Sequence, residues 1–138
     1  EPLCELIEAA EVLFIDSTHT VKVGSACVYI YLKLLPNIRS NLVVHAHDIT
    51  LPYAYEIKNL DRHVYWTEQY LLYAYLLDNP KTEVLTGSLY AKRLLPALSK
   101  EMMCNRYADG GGSIWFDYKG DAANPRKRWP RYFGHWFK

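Results

Sequence analysis

Val12-Leu13-Phe14-Ile15-Asp16-Ser17-Thr18-His19 and Asn41-Leu42-Val43-Val44-His45-Ala46-His47-Asp48-Ile49 are the stretches whose reading decides the fold. Each is an apolar run rich in branched side chains that closes on acid and imidazole groups. That pattern predicts a buried parallel strand carrying chemistry at its carboxyl end. The run over 11–16 is apolar at both parities, so the first strand is expected inside a sheet covered on both faces. Between the runs lie a loop over 20–24 and an apolar segment over 25–35, with Ser25 as its N-cap and Pro36 as its stop. A helical crossover of that length makes the two strands parallel neighbours with right-handed connection. Asp16, His19, His47 and Asp48 then converge on one sheet edge.

Outward from this pair, 2–10 reads as a short helix with Pro2 in its first turn and Leu3, Leu6 and Ile7 in an apolar stripe. Residues 49–60 read as an irregular loop over the carboxyl edge. A helix is predicted over 63–78 and ended by Asn79-Pro80, with Tyr65 and Trp66 near its start, where they could line a pocket. A strand follows over 82–89, then helix over 90–103 with a break at Pro96. Asp109-Gly110-Gly111-Gly112 reads as a turn into a last strand over 113–118; no helix start follows it, which argues against a phosphate loop. Two regions result: 1–119, an α/β domain, and 120–138, an extension that is basic (Arg126, Lys127, Arg128, Arg131) and aromatic (Trp129, Tyr132, Phe133, Trp136, Phe137).

The bulk numbers fit one domain. The chain has 138 residues, half of them hydrophobic and 22% charged, which is a globular rather than a disordered composition. Its net charge of +1 gives no global bias toward nucleic acid or anionic lipid. The basic tail suits a partner surface better than nucleic acid. Three cysteines, Cys4, Cys27 and Cys104, show no C-x-x-C pairing, so an intracellular, reducing compartment (cytoplasmic or organellar) is expected. No apolar run is long enough for a membrane span.

Asp16-x-x-His19 alone reads more simply as an acid capping its loop beside a solvated imidazole. A second pair, His47-Asp48, at the adjacent strand end tips the balance toward a metal or catalytic role. Two carboxylates suit a divalent cation such as Mg²⁺, and an imidazole donor shifts preference toward Mn²⁺, Fe²⁺ or Zn²⁺. A histidine titrating near neutrality can act as general base. His45, inside the strand, is expected to be a hydrogen-bonded core residue.

Leu13 to His19, Leu35-Pro36, Val43 to Ile49 with Leu51-Pro52-Tyr53, Trp66-Thr67-Glu68-Gln69-Tyr70-Leu71-Leu72 and Gly111-Gly112-Ser113-Ile114-Trp115 together resemble class I S-adenosylmethionine-dependent methyltransferases, in order, from about Val12 to Phe116. The resemblance implies a partial Rossmann-like sheet: the fourth to seventh strands of seven, mostly parallel with an antiparallel end. Metal-dependent O-methyltransferases of this group imply Asp16 as a metal and cofactor-site ligand, His19 as catalytic base, and His47 and Asp48 as further metal ligands. They also imply a small-molecule hydroxyl acceptor and S-adenosylmethionine as donor. No Gly-x-Gly loop of the kind that holds this cofactor occurs in the chain. The expectation is therefore the C-terminal half of such a domain, with a missing N-terminal half or a protein partner covering the open sheet edge. An inactive, methyltransferase-like interaction subunit is the alternative. A metal-dependent hydrolase or oxygenase built on the same acid–imidazole cluster stands third.

Overall fold

A computed structural model describes residues 2–106 and 111–120. In chain order the elements are α1 (Pro2–Glu8), β1 (Val12–Ile15), α2 (Ala26–Tyr29) running through a π-helical stretch (Ile30–Leu34) into α3 (Leu35–Asn37), β2 (Leu42–His47), α4 (Lys58–Asp61), α5 (Glu68–Leu76), β3 (Thr82–Gly87), α6 (Ser88–Leu94), α7 (Pro96–Met102) and β4 (Ser113–Tyr118). The four strands form one mixed sheet in the order β1-β2-β4-β3. β1 and β2 are parallel, pairing Val12 with Val43 and Ile15 with Ala46. β4 is antiparallel to both β2 and β3, so β3 runs in the direction of β1 and β2. The α/β class and the parallel pair are as expected from the two apolar runs and the crossover between them.

The core lies against one sheet face. Ile15, Leu42, Val44, Ala46, Ile114, Phe116 and Tyr118 alternate onto it and pack with Cys27, Tyr31, Leu34, Leu35 and Ile38 of the crossover helix and Leu72 of α5. Period-two alternation along β2 and β4 puts Val43, His45, His47, Trp115 and Asp117 on the opposite face, and none of them is buried. Here the sequence expectation fails for β1. It is an edge strand, and Val12 and Phe14 on that second face remain 52% and 55% exposed. Their apolar character had suggested cover on both sides; among the described residues that cover is absent.

The boundaries of two helices also move. Ser25 caps the crossover as expected, its side chain accepting from Val28 N–H, but Pro36 lies in the final helical turn rather than beyond it. The helix expected over 63–78 begins only at Glu68 and ends at Leu76, while Lys58–Asp61 is a separate short turn of helix inside the segment read as a loop. The late start has a cause. His19 carbonyl accepts the Thr67 and Glu68 N–H groups (2.7 and 3.0 Å), and the Thr67 hydroxyl accepts Val21 N–H (2.7 Å). The orphan amides of the first turn of α5 are thus satisfied by the β1 loop, which fixes where the helix can begin. The third strand ends at Gly87, and the helical hairpin after it breaks at Leu95-Pro96 as predicted. The first half of the turn at 109–112 and the tail beyond Gly120 lie outside the described residues.

Candidate active site at the carboxyl ends of the parallel strands

β1 and β2 end side by side, and the residues just past them are held in unusual backbone shapes. His19 and Asp48 both have positive φ, 52° and 54°. This region is sparsely used by non-glycine residues, although His and Asp enter it more readily than most. Each turn is tied down by one of two neighbouring residues at the start of α5. Glu68 and Gln69 are 0% and 1% exposed. Gln69 Oε1 accepts both the Thr50 backbone N–H (3.0 Å) and the Thr50 hydroxyl (2.8 Å), and its amide donates to the Tyr53 carbonyl (3.3 Å). Glu68 does the equivalent for the β1 turn. Gly112 completes the packing: a Cβ there would lie 2.8 Å from the Ile49 carbonyl oxygen, so only glycine lets β4 enter against the residue after Asp48.

Three of the four residues expected to converge do so through His19, which is buried. Its Nε2 lies 3.3 Å from Asp16 Oδ1 and 3.6 Å from Asp48 Oδ2. Its Nδ1 lies 2.7 Å from Glu68 Oε2. The imidazole is therefore neither solvated nor a loop decoration. His47 joins less directly. Its ring borders Phe14 and His45 on the open sheet face, while its Nδ1 is 3.4 Å from Asp48 Oδ1. That nitrogen is shielded from solvent and has no hydrogen-bond partner.

Glu68 is the residue that sequence reasoning missed. The Tyr31 hydroxyl donates to its Oε1 (2.6 Å), and the Ser17 hydroxyl donates to its Oε2 (3.1 Å). Ser17 Oγ also lies 3.3 Å from Cys27 Sγ, and with its one proton on Glu68 it can accept from that thiol. Burial and then the surrounding groups keep both donors protonated: desolvation pushes the Cys27 thiol up, and desolvation followed by the Glu68 charge pushes the Tyr31 phenol up. The π-helical turn places Tyr31 at full burial against Glu68, a usual employment of such a widened turn. In the sequence Glu68 fell inside the helix expected over 63–78, where an acid on a solvated face needs no other explanation. Its place in Trp66-Thr67-Glu68-Gln69 was the available signal.

His45 departs from expectation. Its ring stacks on Trp115 at 3.9 Å and 11°, and its buried Nε2 has no hydrogen-bond partner. Desolvation, and secondarily His47, lower its pKa. Trp66, whose ring centre is 4.9 Å from that of His19, does line a cavity, of about 280 Å³, together with Tyr55, Ile57, Leu60, Val64 and Tyr70. Tyr55 stands at its corner, edge-on to both Trp66 and Tyr70.

Among the described residues, no group of three His, Cys, Asp or Glu side chains is disposed to hold a metal ion as it stands. The chemistry of the donors still bears on the question. An unpartnered imidazole nitrogen beside an Asp48 oxygen, with a second carboxylate on the adjoining strand end, is a set that suits a divalent cation. No helix among the described residues is long and apolar enough to cross a membrane. No protein-family model, no curated protein and no solved structure matches the chain.

Proposed function

We propose that this chain carries the acceptor side of a class I S-adenosylmethionine-dependent methyltransferase and serves metal-assisted O-methyl transfer. The observation that carries the proposal is the position of His19 Nε2, buried between the carboxylates of two adjacent strand ends. The sheet supports it too, since its one antiparallel strand lies toward the end away from β1. S-adenosylmethionine would supply the methyl group, its S–CH₃ bond breaking to release S-adenosylhomocysteine, and a divalent cation, which Asp16, His47 and Asp48 would hold, would supply a Lewis acid. The chain's own work is to seat a hydroxyl at His19 Nε2 and take its proton there, so that the oxygen reaches the methyl carbon as an alkoxide-like nucleophile. Trp66, whose ring lies against that of His19, covers one side of the imidazole.

Calorimetric titration of the full polypeptide with S-adenosylmethionine, with and without Mg²⁺ or Mn²⁺, tests the proposal. Binding that an Asp16→Asn, Asp48→Asn double variant weakens by about tenfold or more, the loss of one good charged contact, is expected. Absence of heat from both cofactor and cation would overturn it.

A second reading rests on a different observation. The edge of β1, which no other strand pairs among the described residues, and the exposed Val12 and Phe14 beside it are an apolar surface suited to association. If the chain is an inactive interaction subunit, alanine at Asp16 and Asp48 will leave its assembly with a protein partner unchanged, while Phe14→Ser disrupts it. The reverse pattern refutes this reading.

A further inference from the structure

We infer that Glu68 is a positioning residue that holds His19 as the Nδ1–H tautomer and leaves the Nε2 lone pair facing the gap between Asp16 and Asp48. The catalytic use of that lone pair rests on the function proposed above; the tautomer itself does not.

A neutral imidazole has one proton and two competing sets of acceptors. On one side Nδ1 meets Glu68 Oε2 at 2.7 Å, inside the range of charge-assisted hydrogen bonds. On the other, Nε2 meets Asp16 and Asp48 at 3.3 and 3.6 Å, where a bond is weak or absent. Solvation widens the difference. Glu68 has no exposed surface, whereas the Asp16 and Asp48 side chains are 53% and 31% exposed and can be hydrated instead. A buried carboxylate deprived of donors is costly, so the proton is worth more on the Glu68 side.

Glu68 cannot easily turn away from this task. Tyr31 occupies Oε1 and Ser17 shares Oε2, which leaves His19 as the third donor to a fully enclosed group. The ring is fixed at its other end by backbone: His19 carbonyl holds Thr67 and Glu68 amides, so the residue that orients the imidazole is built onto the same turn as the imidazole. Glu68 touches neither the cavity wall nor the open face, so its effect passes through His19.

The test is the nitrogen spectrum of the histidine side chains in the protein uniformly labelled with ¹⁵N, without cofactor or cation, at a pH about two units above the ordinary imidazole value. A His19→Asn spectrum identifies the signal. Nδ1–H is expected to exceed Nε2–H by at least about tenfold, the ratio that one charge-assisted bond supplies. Free histidine side chains in water prefer the opposite tautomer, so the outcome is not a default. Glu68→Ala should return His19 toward Nε2–H, while Tyr31→Phe, which leaves Oε2 in place, should not. A wild-type spectrum with Nε2–H dominant overturns the inference even if Glu68→Ala fails to fold, and so does an unchanged tautomer in a folded Glu68→Ala. Failure of the cofactor and cation titrations would leave this result standing, so the two ideas fall separately.

Discussion

The two faces of the sheet are built from the same strands and obey different rules. On the helix-covered face every inward position of β2 and β4 is buried, and Phe116 and Val44 have no exposed surface. On the other, Phe14, His45 and Trp115 lie ring against ring (5.0 Å, then 3.9 Å) and stay in partial contact with water. The first face holds the fold. The second contributes little to it, and carries side chains, two of them histidines, whose ring nitrogens Nε2 of His45 and Nδ1 of His47 find no partner. The difference teaches that apolar composition and structural burden part company in this sheet: Phe14 and Phe116 are the same residue with different work.

Substitutions at those two phenylalanines break the comparison most directly. Phe116→Ala should cost about 3–5 kcal/mol, the usual range for emptying a fully buried aromatic site, whereas Phe14→Ala should cost less than about 1 kcal/mol. Urea denaturation of both variants decides it, and equal losses would mean that the second face is covered after all. Gly112→Ala comes next, at about 1–3 kcal/mol, because the added methyl must push against the Ile49 backbone rather than a flexible side chain. The same denaturation experiment reads it. Tyr31→Phe sharpens the comparison from the covered side: Glu68 loses one of its three donors in a place water does not reach, at about 1–3 kcal/mol. A loss below a few tenths would show that Glu68 finds another donor.

The smallest expected effect is on the open face and depends on pH. His45 has its pKa lowered, chiefly by desolvation, so the folded chain binds its proton less readily than the unfolded chain. The stability it lends is complete above the ordinary imidazole value of 6.5 and is lost as pH falls through the lowered folded value. His45→Phe removes that dependence. Between about pH 7.5 and pH 5, the wild-type protein should therefore lose more stability than the variant. Parallel stability curves would show that His45 is not the group responsible.

Much of the scaffold was legible in the chain. The two runs ending in Asp16 and Asp48 declared parallel strands, Pro96 declared the break between two helices, and the glycine-rich turn over 109–112 declared the strand over 113–118 that follows it. These signals are local. What the sequence hid was the consequence of distance. Nothing near Glu68 announces that Tyr31 and His19, 37 and 49 residues away, will close around it. Nor does the composition of β1 tell an edge strand from a central one, because the same Val and Phe suit both. The start of α5 was misplaced for a related reason: its amides are satisfied by the His19 carbonyl, so its boundary is set by tertiary contact and not by a side-chain cap.

Among the described residues β4 is the last strand in sequence, and yet it stands between β2 and β3, which do not touch each other in the sheet. Among the described residues every ladder bond of β3 is made to β4. During synthesis, then, a chain that has emerged only as far as residue 112 holds β1 paired with β2 and a separate β3 without a strand beside it. Six residues, Ser113 to Tyr118, join the two pieces into one sheet, and they bring Phe116 and Tyr118 into the core in the same step. Non-local pairing of this kind is slow to form, so the order of emergence from the ribosome leaves the edge of β2 waiting for its partner until almost all of the sheet has been made.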